Sequence, residues 1–283
     1  MARPSIEPVT DASLDEVAAF LHQHLNGDRS PEVWARDFRR SHRPETPNYG
    51  FCLRDDGRLV GVIGALYADR QRDGKPEQLC NITSWCVLPD YRQHSTRLAM
   101  SVLGQGERTY TDFSPTKVVA ATLKFLKFTE LDERRAVSLN LPRWSSGVRL
   151  FTKADDIATH LKGDARAAFE HHRELPWVRH LLLTSGERAC HVIYKPVRIK
   201  GWGAAHVLHA SDPQLYAEGA GRLAAHWLAR GLPFSVVELR LVPNPPRPYR
   251  LQEGFTRKVV RPAPGLSDNV DYLYSETLLF DLT

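Results

Sequence analysis

The stretch from Cys80 to Leu98 constrains this chain more than any other part of it. Cys80 to Leu88 reads as a strand, and Pro89 stops it because proline cannot donate to a ladder. A short polar turn, Asp90-Tyr91-Arg92-Gln93-His94, then runs directly into a helix that starts near Ser95 or Thr96 and carries Leu98, Val102 and Leu103 on one face. A strand that turns this tightly into a helix builds an anion site. The first amides of a helix point outward without intrahelical partners, and the macrodipole puts partial positive charge there. Arg92 and Arg97 stand where they can add charge to such a site.

The elements around this stretch predict a mixed α/β sheet. A short strand over 5–9 precedes a helix with Leu14, Val17, Ala18, Leu21 and Leu25 on one face, and Pro31 opens a second helix behind Ser30. Two strands, 49–54 and 59–67, flank Asp55-Asp56-Gly57, a turn whose glycine accepts positive φ. The second of them is apolar on both faces, as a covered central strand must be. After the key helix come a strand at Thr109–Phe113 and a helix from Ser114-Pro115-Thr116. Residues 132–173 are more polar and read as a last strand plus a linker with one helix near 155–161.

From Val178 the layout repeats without evident identity. His180–Thr184 and Ala189–Tyr194 form a hairpin around Ser185-Gly186-Glu187, and 205–209 is a strand. Ser211-Asp212-Pro213 caps a helix through Leu228, and 234–242 and 271–280 read as strands. Pro243 to Pro248 excludes a helix there. Trp144, Trp177, Trp202 and Trp227 are expected in packing, with Trp202, between two glycines, also a candidate for lining an acceptor pocket.

Composition narrows the class of function. With 38 basic and 33 acidic residues the net charge is +5, but no run of five like charges appears. That spread fits a pocket for an anionic ligand and gives no reason to expect nucleic acid. No apolar run reaches the roughly 18 residues of a membrane span, and no apolar signal segment follows the N-terminus, so the expectation is a cytoplasmic protein with no membrane partner. Cys52, Cys80, Cys86 and Cys190 lack metal-ligand spacing and read as reduced thiols. His22-Gln23-His24 and His171-His172 point different ways on their helices, so no metal site is expected.

The stretch Val87-x-Pro89-x-Tyr91-Arg92 resembles the pyrophosphate loop of the GNAT (N-acetyltransferase) superfamily. There an apolar strand ending in Val-x-Pro-x-Tyr leads into Arg/Gln-x-x-Gly-x-Gly/Ala. Leu59 to Gly64 is similar to the family's paired strands, and Ala120 to Phe128 sits where the family has its last helix, ending in a Leu-Gly-Phe turn. Tyr249 to Phe255 resembles that same ending in the second half. The chain departs from the family at Ser95 and Arg97, where two small residues are usual. It departs again at Lys127, in place of a glycine, and at Leu123, where a tyrosine acid is common. An arginine at 97 either pairs with a phosphate or blocks the loop.

The resemblance implies two GNAT-like acyl-CoA N-acyltransferase folds in tandem: residues 1–145 as the acyl-CoA-binding domain, 146–177 as linker, and 178–283 as a degenerate copy. It implies an acyl transfer from acetyl-CoA or another acyl-CoA, as co-substrate, to the amine of a small molecule by direct attack. Val87, Arg92, Gln93, His94, Ser95, Thr96 and Arg97 would hold the cofactor, and the strand at Trp85-Cys86-Val87 would lie nearest the chemistry. Candidates for the base are Glu77, Asp112 and His94, each with an ordinary structural alternative. Cys86 is a candidate nucleophile weighed against a core thiol. Two other readings stay open: a catalytically silent GNAT-like binding module, and acyl transfer from acyl carrier protein, whose acidity would suit the positive charge.

Overall fold

The computed structural model describes residues 3–40, 48–72 and 74–281 of the 283. In chain order the first elements are β1 (Ser5–Pro8), α1 (Asp11–His24), α2 (Pro31–Phe38), β2 (Gly50–Asp55), β3 (Arg58–Arg72) and β4 (Lys75–Val87). A 3-10 turn (Pro89–His94) leads into α3 (Ser95–Leu103), followed by β5 (Thr109–Asp112), α4 (Lys117–Phe125) and β6 (Thr129–Glu130). Then come β7 (Arg135–Leu139), β8 (Arg149–Phe151), α5 (Ala154–His160), α6 (Gly163–His172), β9 (Arg179–Ser185), β10 (Arg188–Ile199) and β11 (Trp202–Ala210). The chain ends with α7 (Pro213–Glu218), α8 (Ala220–Leu228), β12 (Phe234–Glu238), β13 (Tyr249–Gln252), β14 (Val259–Arg261) and α9 (Glu276–Leu279).

The chain divides into two compact units. The first comprises Met1–Leu131, Arg257–Asp268 and Tyr274–Phe280; the second comprises Asp132–Thr256, Asn269–Leu273 and Asp281–Thr283. Each holds one seven-stranded mixed sheet among the described residues, in the orders β1-β2-β3-β4-β5-β14-β6 and β13-β7-β12-β11-β10-β9-β8.

In the first unit β3 is the backbone of the sheet. Its residues 59–68 are all buried, which is why no polar face shows in its sequence. Covering each Val or Ile of such a strand stabilises the fold by about 1.5–3 kcal/mol. The hairpin turn uses Asp56 at φ 47° and Gly57 at φ 80°, the left-handed pair that a two-residue hairpin requires. Gly64 is fixed by space: a Cβ there would come within 2.6 Å of the Phe38 ring. Strand β4 pairs antiparallel with β3 over its length, and parallel with β5 only at Leu79–Asn81 against Thr109–Thr111. Because β14 pairs with β5 at Val259–Arg261 and with β6 at Val259–Val260, a segment from late in the chain closes this sheet.

The second unit repeats the plan. The hairpin β9–β10 is followed by β11 antiparallel to β10, and β11 pairs parallel with β12 only at Ala204–His206 against Phe234–Val236. Helices α7 and α8 lie between β11 and β12 in the chain, as α3 lies between β4 and β5.

Several elements differ from the sequence-based expectation. Arg135–Leu139 does not close the first sheet; it enters the second, between β13 and β12. Residues 146–177, expected as a linker with one helix, hold β8, α5 and α6. The helix after Asp212 breaks at Gly219, where a Cβ would meet a Leu183 methyl at 2.6 Å. Tyr249–Gln252 is an edge strand on β7, not the end of a helix. The expected strand over 271–280 is a turn followed by α9, because a short apolar run without alternation does not distinguish strand from helix. Trp227 is buried, whereas Trp144 is 85% and Trp202 64% exposed.

Candidate active site

The first unit's sheet opens at the end of β4. Beyond Asn81, six residues of β4 continue along β3 with no parallel partner on the other edge among the described residues. Burial falls along the same path, from Asn81, Ile82 and Thr83, which are buried, to Ser84, Trp85, Cys86 and Val87, which are half-buried. At the start of the opening the β3–β4 register slips, with Val62 opposite Cys86 but Gly64 opposite Thr83. Ser84 takes up the extra length at φ 51°, a left-handed conformation unusual for a residue with a side chain. Such a bulge next to an open edge re-aims the following amides.

The 3-10 turn and α3 follow at once. Tyr91 donates its hydroxyl hydrogen to Asp55 Oδ2 at 2.6 Å, pinning the turn to the end of β2. Leu98, Ala99, Val102 and Leu103 anchor α3 in the core that also contains Val60, Ile63 and Tyr110. Arg92, Gln93 and Thr96 are exposed, and His94, Ser95 and Arg97 half-buried. No side chain caps α3, and its first turn carries no carboxylate. His94 (φ −93°) and Ser95 (φ −55°) are right-handed, so a side chain at 95 imposes no strain where the family keeps glycine. Arg97 has a buried Nη1 with no hydrogen-bond partner among the described residues. A guanidinium N–H left dry and unpaired is costly.

The second unit makes a contrast at the corresponding place. After β11, Asp212 accepts the Leu215 N–H at 2.9 Å at the start of α7, and Arg188 donates to both of its oxygens at 3.0 Å. That helix start already holds an internal anion.

The candidate carboxylates fall at two places. Glu77 is buried near the beginning of β4, taking the Arg70 Nε–H at 2.7 Å, the Arg72 guanidinium at 3.0 Å and the Thr109 hydroxyl at 3.0 Å. It lies seven residues before Ser84, about 23 Å along an extended strand. Asp112 is buried at the end of β5, where β4 and β5 part. One of its oxygens accepts the Ser114 N–H at 3.1 Å. Beside it, Glu276 opens α9, with Oε1 accepting the Ser114 hydroxyl at 2.7 Å and its N–H donating to Asn81 Oδ1 at 3.0 Å. Burial, then the charge of Glu276, pushes Asp112 well above the usual carboxylate range; burial likewise raises Glu276, against the Ser114 hydrogen bond. The Cys86 thiol is raised by burial despite nearby Arg92, and it faces the His24 carbonyl at 3.6 Å.

The fold thus brings Cys86, Val87 and Arg92 to Arg97 into one continuous strand end, turn and helix start, with Asp112 at the fork and Glu77 far below it. Sequence reasoning missed Glu276. The available signal was a single charge inside the apolar run Tyr272 to Phe280.

Residues 18–103, from within α1 to the end of α3, match the model of the acetyltransferase (GNAT) family. This segment is a GNAT domain. The family is one of acyl transfer and takes acyl-CoA as its co-substrate. Solved structures extend the likeness in fold to both units. A GCN5-related N-acetyltransferase from Anabaena variabilis aligns with a TM-score of 0.61 at 10% identity, over 92% of this chain and 72% of its own. A probable N-acyltransferase from Enterococcus faecalis aligns with a TM-score of 0.61 at 11% identity, over the same shares of 92% and 72%. A GCN5-related N-acetyltransferase from Kribbella flavida gives 0.59 at 15% identity, over 92% and 71%. No curated protein matches the chain in sequence. The GNAT domain and the repeated sheet plan together make the chain a tandem of two GNAT-like folds. Among the described residues no helix is long and apolar enough to cross a membrane.

Proposed function

We propose that the chain is an N-acyltransferase that moves an acyl group, acetyl in the simplest case, from coenzyme A held at the end of β4 to the amine of a small molecule. The observation that carries this reading is the coincidence of three features: the open edge of β4, the bulge at Ser84, and the carboxylate-free helix start beside the Arg97 Nη1, which has no partner among the described residues.

In this reading the pyrophosphate lies against residues 92–97. Arg92 and Arg97 supply charge, and Gln93, His94, Ser95 and Thr96 supply donors. The pantetheine chain adds itself to the free edge of Ser84–Val87 as a pseudo-strand, satisfying amides that β5 leaves unpaired. The acyl carbonyl then meets the re-aimed amides around Trp85 and Cys86, which stabilise negative charge developing on its oxygen. The amine, once deprotonated, attacks the carbonyl carbon; the C–N bond forms, the C–S bond breaks, and the thiolate leaves with a proton. Holding both reactants together lowers the entropy cost of the encounter.

Of the proposed bases, Asp112 fits better than Glu77. Asp112 stands at the fork and is held high, whereas the lone pairs of Glu77 are taken by two guanidinium groups and a hydroxyl. Cys86 needs no covalent role. A raised thiol pKa is the opposite of what a nucleophilic cysteine requires. Four free cysteines suit a reducing cytoplasm, where acyl-CoA is also at hand. Transfer from acyl carrier protein would use the same pantetheine groove, so the two donors differ only beyond the phosphate that ends the pantetheine arm.

Calorimetric titration with coenzyme A, repeated on Arg92→Ala, tests the reading, followed by an acceptor screen with acetyl-CoA and primary amines. Binding that weakens in the variant supports it. Absence of heat and of any thermal shift at millimolar coenzyme A sinks it.

A further inference from the structure

Asp112 and Glu276 are 164 positions apart in sequence yet share one dry site in the first unit, 4% and 2% exposed. Ser114 joins them, its N–H on Asp112 Oδ1 at 3.1 Å and its hydroxyl on Glu276 Oε1 at 2.7 Å. Asn81 completes the frame. Its Oδ1 takes the Glu276 N–H at 3.0 Å, and its Nδ2 donates to Thr111 Oγ1 at 3.0 Å. The second oxygen of Glu276, Oε2, is buried without a hydrogen-bond partner among the described residues.

Among the described residues, the groups acting on the pair are each other, the Ser114 hydroxyl and amide, Asn81, and the backbone at Glu276 and Phe113, with no cation among them. Two buried carboxylates without a cation cannot both stay ionised, because mutual repulsion and desolvation add. A single proton shared by the two carboxyls removes the repulsion. The pair's macroscopic behaviour then belongs to both residues together.

The location makes this more than packing. Asn81 and Thr111 are the last β4–β5 partners, so the pair sits at the floor of the opening, with Ser84 three residues and Trp85 four residues above Asn81. That is about 10–13 Å along the strand, a distance that a short chain of waters bridges.

We propose that Asp112 and Glu276 form a carboxyl pair holding one proton, which accepts the proton of the acceptor's ammonium during acyl transfer. The proposal rests on the acyltransferase reading and adds Glu276 to it. The singly protonated pair takes one proton from R–NH₃⁺ and becomes doubly protonated. The free amine forms its C–N bond as the C–S bond breaks, its second proton passes to the departing thiolate, and the pair returns its extra proton to solvent.

The test uses the full chain, wild type and Glu276→Gln, the amide being an isostere of the protonated acid that preserves the Ser114 contact. The first measurement is an infrared pH titration of the protonated-carboxyl band. A band that persists at pH 7 and disappears in Glu276→Gln is expected; no such band in the wild type overturns the pair. The second is turnover of acetyl-CoA with a fixed panel of primary amines (amino sugars, amino acid amides, polyamines) across pH. Glu276→Gln is expected to lower kcat by about 100-fold or more, the usual scale for a general base, with loss of the acidic limb and an unchanged coenzyme A Kd. Wild-type kcat and an unchanged pH profile in Glu276→Gln would reduce the pair to a structural contact and overturn the proposal. If no coenzyme A binds, or no panel amine is acylated by the wild type, the acyltransferase reading fails and the pair's proton-transfer role falls with it, while the infrared result still decides whether the proton is shared.

Discussion

Replacing Arg97 with methionine should separate ligand binding from stability in an unusual direction. Among the described residues the buried Nη1 of Arg97 has no hydrogen-bond partner, so none of them gains stability through it. Methionine keeps much of the apolar stem and removes the dry N–H. A buried unsatisfied donor costs about 1–3 kcal/mol, so the variant should be as stable as the wild type or more stable. In the complex the same N–H would meet a phosphate oxygen, and a hydrogen bond to a charged group contributes about 1.5–3 kcal/mol. At 1.4 kcal/mol per tenfold, that is a Kd for coenzyme A raised about 10- to 100-fold. The assay is calorimetry with coenzyme A beside pantetheine, which lacks the pyrophosphate, plus a thermal melt of each protein without ligand. Pantetheine affinity should not change. An unchanged Kd for coenzyme A, an equal loss for both ligands, or a Tm that falls by several degrees would refute the reasoning, since each makes Arg97 a structural residue.

Further outcomes follow from other residues. Glu77→Ala should cost about 3 kcal/mol, because it removes the buried carboxylate that two largely buried guanidinium groups share, with no change in coenzyme A affinity; chemical denaturation and calorimetry check both. Lys127 holds φ 68° after α4, where the family keeps glycine. Lys127→Gly should therefore stabilise by up to about 1 kcal/mol, the relief of left-handed strain less the entropy glycine adds to the unfolded chain, read as a shift in denaturation midpoint. Asp112 and Glu276 have folded pKa values above their unfolded ones, so the folded state binds more protons. Stability should be fullest below the unfolded carboxylate pKa and should decline as pH rises from there through the raised folded values. Glu276→Gln should flatten that decline, so its Tm relative to wild type should rise as pH increases above the unfolded carboxylate range.

What the sequence disclosed was local. The strand–proline–turn–helix from Cys80 to Leu98 announced itself because apolar run, stop and helix face follow one another within 19 residues, and β3 did so because ten consecutive covered positions leave no polar face. What it hid was long-range. Nothing in Val259–Arg261 shows that it will pair with β5, and nothing around Glu276 shows that its partner is Asp112, since pairing across such separations leaves no periodic trace. Tyr249 to Phe255 resembled the ending of the family's last helix, but the edge pairing of Tyr249–Gln252 with β7 decided the outcome. Ser95 and Arg97 were departures from a motif on paper. Their right-handed backbone and the unpaired Nη1 turn them into features of the site.

The most direct measurement is a crystal structure of the chain with coenzyme A. The account predicts the pyrophosphate against Arg92–Arg97 and the pantetheine along Ser84–Val87, with Ser211–Pro213 of the second unit left without ligand. Coenzyme A seated at Ser211–Pro213, or bound away from the open edge of β4, would contradict it.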